Sequence, residues 1–338
     1  MKSFLYDEKK EKELKDIIEQ MTQVIEDEPN NAYLFFARAL QYYQLSQQYY
    51  DVSELFFEGD KKLYYKYVNC AYSDIETALK LDENIDDYAP SFKLLMLKKL
   101  KKWKELVHFG MSLYNGIGCT DEDISLLGEA FFKLKDAKNC IKFYSYLIDN
   151  YNNSDVIRFS RDIFYERGLC YFILKEYELS LKDFFTHKKI SKYNSEDGYL
   201  MTLIADCYLY LNKFSDALKY YDKSISLEPD NSEHYFSRGV FYCDYLHEYE
   251  KANEDIKNAI EYSDDEIPRY YHYLGYTAVH LGQGVSHRNP KLAISYYDMA
   301  IDAYKKEAEL TGIDELKKIS MNFPVSLKNE LLEEMNKS

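Results

Sequence analysis

Small and aromatic residues recur along this chain at fixed separations. ERGLCYFILKEYELSLKDF from residue 166, IADCYLYLNKFSDALKYYDKSISLEPDN from 204 and SRGVFYCDYLHEYEKANEDIKNAI from 237 repeat one phrase. With the first small residue of each unit placed at position 8, that position holds Ala39, Gly128, Gly168, Ala205, Gly239 and Gly275. Position 11 holds Tyr42, Phe131, Tyr171, Tyr208, Tyr242 and Ala278. Farther on, positions 20, 24 and 27 read Ala217, Tyr221, Ser224 in one unit and Ala293, Tyr297, Ala300 in another. Steps of three and four are helical. Small residues at 8 and 20 let two antiparallel helices approach closely, and large ones at 11 and 24 fill the space between neighbours, an arrangement that requires stacking.

Unit starts near 87, 121, 161, 198, 232 and 268 are separated by 34, 40, 37, 34 and 36 residues. With Pro229 closing a unit in LEPDN, the units resemble tetratricopeptide repeats, whose period is about 34 residues. The resemblance covers roughly residues 10 to 305 and implies an all-α fold, a right-handed α–α superhelix of antiparallel helix pairs. Residues 1–31 read as an N-terminal helix equivalent to half a repeat, with Ile17, Met21, Val24 and Pro29 at positions 20, 24, 27 and 32. Residues 32–306 then hold about seven pairs, the first with an insertion at about 43–70. There Gly59 and Asp60 read as a break and N-cap, with a long second helix from about 61 to 81. The unit from 87 departs from the pattern, with Leu94 where a small residue belongs and Gly110 where an aromatic is expected. Residues 307–338 read as a capping helix or tail, divided at Pro324, with Ser326 placed to cap a short final helix.

Composition narrows the classes of function. Apolar residues form 46% of the chain and 36 residues are Tyr, enough to bury cores between amphipathic helices and too much for a disordered chain. The formal net charge of −15 opposes binding to nucleic acid or anionic lipid and favours a basic partner. No signal-like start and no run of about 18 apolar residues is present, so a soluble cytoplasmic protein, monomeric or weakly homo-oligomeric, is expected. The six cysteines form no CxxC pair and read as packing thiols; Cys170 and Cys207 share one repeat position.

Candidate chemistry is sparse. HLGQGVSHRNPK, residues 280–291, lacks the Gly-Lys-Ser/Thr ending of a phosphate loop, and no strand precedes it as a dinucleotide fingerprint requires. It reads as six extra residues between the helices of the last unit, with Gly282 and Gly284 for the bend and Asn289-Pro290 to restart the chain as a helix. Gly282, Gly284, Lys291, Tyr297 and Ala300 also resemble the loop and second helix of Sel1-like repeats. His272 and His280 stand eight apart, too far to share a tetrahedral metal unaided, and no HExxH or GxSxG occurs, so no metal, cofactor or enzymatic activity is expected. The lysines 98, 99, 101, 102 and 104 around Trp103 are the one basic concentration and read as a solvated helix end.

The tetratricopeptide resemblance implies that first helices line a concave groove through positions 2, 5, 9, 12 and 13. Here those positions include Tyr165, Tyr199, Asp206, Tyr210, Phe236, Asp244, His272, Tyr276 and His280. Aromatics interleaved with acids suit a protein or peptide with apolar anchors and basic residues. The expected function is therefore a non-catalytic binding scaffold, with a ligand-responsive regulator or an accessory enzyme subunit as the alternative.

Overall fold

The computed structural model describes residues 7–50, 58–116, 118–158, 162–190 and 197–337, with side chains except at 58–60, 153–154 and 314–319. The part of the expected insertion at 51–57 lies outside the described residues. The fold is all-helical, with helices packed in consecutive pairs. After α1 (Glu8–Asp27), the first helices of the pairs are α2 (Ala32–Gln47), α4 (Ala89–Lys99), α6 (Asp121–Lys133), α9 (Ile163–Ile173), α11 (Gly198–Tyr210), α13 (Ser232–Phe241) and α15 (Pro268–Val285). Their second helices are α3 (Glu58–Leu81), α5 (Trp103–Asn115), α7 (Ala137–Asn150), α10 (Tyr177–Ile190), α12 (Phe214–Leu227), α14 (Tyr249–Glu261) and α16 (Pro290–Thr311). The single turn α8 (Asn153–Val156) precedes α9, a π turn (Tyr242–Leu246) extends α13, and α17 (Asp314–Lys337) follows α16. The chain forms two compact units, residues 1–190 and 191–338.

Close approach within pairs is written in glycine. A Cβ on Gly128 would lie 2.4 Å from the Tyr144 ring, and one on Gly168 would lie 2.8 Å from the Phe184 ring. Tyr144 and Phe184 are fully buried, each contributing on the order of 1.5–3 kcal/mol of apolar burial. In the pair of α4 and α5 the two roles are exchanged. Leu94 is buried on the first helix, and Gly110, facing it from the second, leaves the room for Leu94 and Leu127.

The turns inside five pairs share one geometry. Lys101, Lys135, Lys175, Asn212 and His247 all adopt left-handed backbone, with φ between 54° and 64°. The following N–H closes back on a carbonyl of the first helix, as Asp136 does on Phe131 at 2.9 Å and Lys213 on Tyr208 at 2.8 Å, in the manner of a Schellman cap. In the pair of α13 and α14 the closing bond runs from Glu248 to Tyr242 and spans one residue more. The π turn absorbs that extra residue without loss of packing.

Several local expectations need correction. Gly282 and Gly284 do not form a bend: both lie inside α15, and the extra residues lengthen the two helices of the last pair. A Cβ on Gly275 would strike Tyr304 at 2.7 Å, and one on Gly282 would strike Tyr297 at 2.4 Å, so the glycine–tyrosine packing occurs twice, two turns apart. The chain turns at residues 286–289, where the Asn289 side chain accepts from the Leu292 N–H at 3.1 Å and Pro290 opens α16. Gly59 and Asp60 fall within the first turn of α3 and do not precede it.

Pro324 does not divide the C-terminal segment either. It sits inside a continuous α17, and Ser326 donates to the Glu330 carboxylate at 3.1 Å within the helix. A mid-helix proline costs about 3 kcal/mol, offset here by packing that is chiefly on α16. Met321 and Leu327 meet Val279, Ala300 and Tyr304, while Leu331 packs with Ala293 and Tyr297.

Candidate functional site

The predicted groove residues of the second unit lie on α11, α13 with its π turn, and α15. Tyr199 and Tyr210 on α11 are 53% and 49% exposed, large aromatic surfaces turned partly to solvent. Asp206, between them in sequence, is half-buried and accepts the Tyr221 hydroxyl of α12 at 2.5 Å. Phe236 on α13 is half-buried, with its ring 4.7 Å from Tyr270, 5.4 Å from Tyr273 and 5.0 Å from the Arg269 guanidinium.

Asp244, in the π turn, is exposed and accepts the Tyr273 hydroxyl at 2.9 Å. On α15, His272 sits 3.2 Å from both carboxylate oxygens of Glu307. Tyr276, 40% exposed, stands edge-on to His280 at 4.6 Å, and His280 stacks on Tyr249 at 4.3 Å with 5° between the planes. Burial, then the neighbouring His247, lowers the His280 pKa below its ordinary value and keeps the ring neutral at pH 7. Tyr165 belongs to the first unit, where its ring is half-buried against Phe184 and His187.

The structure thus brings Tyr276 and His280 together with Tyr249, and joins Asp244 to Tyr273, against which Phe236 packs; Tyr249 and Tyr273 share one small core. Asp206 and His272 are instead bonded to the second helices of their own pairs. For Asp206 this has a pH signature. Burial raises its carboxyl to about 6 even though the Tyr221 hydroxyl, which favours the anion, is donated to it.

A carboxyl raised above its unfolded value of about 3.9 contributes stability that is full below about pH 4 and lost as pH rises through about 6. Asp206→Asn keeps a carbonyl acceptor for Tyr221 and removes that loss. Its melting temperature is expected to exceed that of the wild type at pH 8 and to match it near pH 4; an equal difference at both values contradicts the assignment.

The lysine concentration is largely absorbed by the fold. Lys98 pairs with Glu129 at 2.6 Å, Lys99 lies 5.3 Å from the Tyr50 ring centre, and Lys102 meets both Glu105 and the Tyr72 ring. Lys101 holds the turn.

Sequence reasoning also missed a repeated ionic strut. Arg38, Arg167 and Arg238 each stand just before the small residue of their unit and make bidentate bonds of 2.7–2.8 Å to Asp74, Asp183 and Asp255 on the following helix. The remaining guanidinium N–H groups reach back to the preceding second helix, at Thr22 (3.0 Å), Ser145 (3.0 Å) and Asp222 (2.7 Å). Each arginine therefore ties three helices together. The signal was present in RA, RG and RG at the same register. Tyr249 and Tyr273, which complete the groups around His280 and Asp244, occupy no marked repeat position.

Residues 199–231 match the family model of the tetratricopeptide repeat. The mitochondrial import receptor subunits TOM70 of Rattus norvegicus and Mus musculus are each 31% identical over 117 residues, 35% of this chain and 18% of theirs. The chain thus matches less than a fifth of the length of these curated relatives. Among solved structures, a tetratricopeptide repeat protein from Parabacteroides merdae aligns over 84% of this chain and 98% of its own, at 16% identity and a TM-score of 0.51. The C-terminal part of a TPR repeat-containing protein from Cytophaga hutchinsonii aligns over 76% and 99%, at 13% identity and a TM-score of 0.52. The fold is that of a tetratricopeptide-type repeat protein. No described helix is long and apolar enough to cross a membrane.

Proposed function

We propose that this chain is a non-catalytic scaffold that holds a protein or peptide, rich in apolar and basic residues, against the exposed face of its first helices. The observation that carries this reading is a run of exposed tyrosines on those helices and the π turn: Tyr199, Tyr210, Tyr245 and Tyr276, from 38% to 53% exposed. Tyrosine supplies a large, stiff contact surface and dominates binding energy at interfaces. Asp244 adds a carboxylate beside them, and the chain's charge of −15 favours a basic partner. Tetratricopeptide repeats generally mediate protein binding, and the matched relatives bear the name of receptor subunits. We also read the last pair as Sel1-like and the protein as cytoplasmic.

Panning a random peptide display library on the folded chain tests the reading. Peptides joining an aromatic or aliphatic anchor to Lys or Arg are expected to enrich. Tyr210→Ala with Tyr276→Ala is expected to weaken the selected peptides at least about tenfold while leaving the fold intact, since both rings are substantially exposed. No enrichment, or unchanged affinity in the double variant, contradicts it. Phe236→Ala is a poor choice for this purpose because its ring packs on Tyr270 and Tyr273.

A further inference from the structure

Aromatic faces in the second unit are commonly covered by the chain's own cations. Lys213 lies 6.0 Å from the Tyr208 ring centre, Arg269 lies over Phe236 and Tyr270, and Arg238 and Lys251 lie over Tyr242. Among the described residues, the cluster of Tyr249, Tyr276 and His280 has no Lys or Arg over its rings. Its rings are held in place by one another, His280 face-on to Tyr249 at 4.3 Å and Tyr276 edge-on to His280 at 4.6 Å.

Tyr276 is 40% exposed and the other two rings are partly so, so the cluster presents ring surface to solvent. Asp244 stands in the adjoining π turn. Its exposed carboxylate accepts the Tyr273 hydroxyl and keeps acceptor sites for another donor. Tyr249 and Tyr273 pack against the same small core of Tyr242, Cys243 and Ala252, and the bond from Tyr273 sets the Asp244 carboxylate on the platform's side of that core. A stacked aromatic platform bordered by an exposed carboxylate, in a chain of net charge −15, is complementary to a planar cation.

We propose that Tyr249, Tyr276, His280 and Asp244 form a binding site for an arginine side chain of the partner peptide. This rests on the peptide-binding reading above and assigns the basic residue of that peptide its place. The guanidinium lies against the aromatic platform and donates N–H bonds to the Asp244 carboxylate. Lysine, a compact ammonium without a flat face, fits the stacked geometry less well. His280 serves as an uncharged ring in the platform, and Tyr273 positions the carboxylate.

The probes are N-acetyl-arginine methylamide, its lysine counterpart and its citrulline counterpart, the last flat but uncharged. Each is titrated into the full-length protein while the His280 ring resonances are followed by NMR. Arginine is expected to give saturable shifts, lysine binding several-fold weaker, and citrulline none. Asp244→Asn and Tyr276→Leu, both at exposed side chains, are each expected to weaken arginine binding about tenfold with an unchanged circular dichroism spectrum.

Equal binding of citrulline and arginine, or an affinity unaffected by Asp244→Asn, overturns the proposal. Replacing Arg by citrulline in a panned peptide separates the two readings. Retained affinity removes the arginine site and leaves peptide binding standing, whereas an at least tenfold loss supports both.

Discussion

Arg167→Met is expected to destabilise the first unit by about 3–5 kcal/mol, the usual cost of leaving one member of a buried ion pair without its partner. Arg167 and Asp183 have side chains only 9% and 2% exposed and are joined by two bonds of 2.7 Å. Burial already raises the Asp183 carboxyl pKa above its ordinary value in the presence of that arginine. Without it the carboxylate must protonate or admit water, and the bond from the guanidinium to Ser145 on α7 is lost as well. Arg167→Met with Asp183→Leu removes both charges and fills the space with apolar atoms, so most of the lost stability is expected to return. Urea melts of the three proteins check this. A single-variant loss below about 1 kcal/mol, or no recovery in the double variant, contradicts the account of the strut.

Gly168→Ala is the second large effect, expected to cost about 1–3 kcal/mol, although alanine is ordinarily the better helix former. The added methyl would sit 2.8 Å from two atoms of the buried Phe184 ring and 3.4 Å from the Asp183 Cβ, so helix α9 must move away from α10. Phe184→Leu alone leaves a void and is destabilising. Combined with Gly168→Ala it makes room for the methyl, so the two losses are expected to be less than additive by about 1 kcal/mol in a double-mutant cycle. Simple additivity means that the glycine does not serve close packing.

The helical pairs were legible because close approach of two helices demands a small residue against a large one, and Gly128, Gly168, Ala205 and Gly239 announce it at separations of 40, 37 and 34 residues. Glycine has a second use, however, since it also frees the backbone to turn. Nothing local to Gly282 tells one use from the other, and the Tyr297 ring that requires its bare Cα lies on the next helix. The exchange of Leu94 and Gly110 looks like decay of the repeat when each is read alone, and becomes packing only when the two helices are set together. Pro324 reads as a break because its cost is local, whereas the apolar contacts of Leu327 and Leu331 that offset it come from α16.

The candidate site was less legible for a related reason. Register tells which side of a helix a Cα occupies, but not which donor a carboxylate meets. Asp206 and Asp244 were both expected on the groove, yet one is bonded to Tyr221 of its own pair and the other lies exposed and accepts the hydroxyl of Tyr273 from the next pair. The turn after α13 contains one additional residue, and that extra residue belongs to the π turn that carries Asp244.

Hydrogen exchange of the full-length protein with and without a panned Arg-containing peptide tests the central claim most directly. Slowed exchange concentrated on α11, the π turn and α15, and reduced in Tyr210→Ala with Tyr276→Ala, is the predicted result. Slowing confined to α12, α14 and α16, or unchanged by the double variant, would contradict the assignment of the binding face.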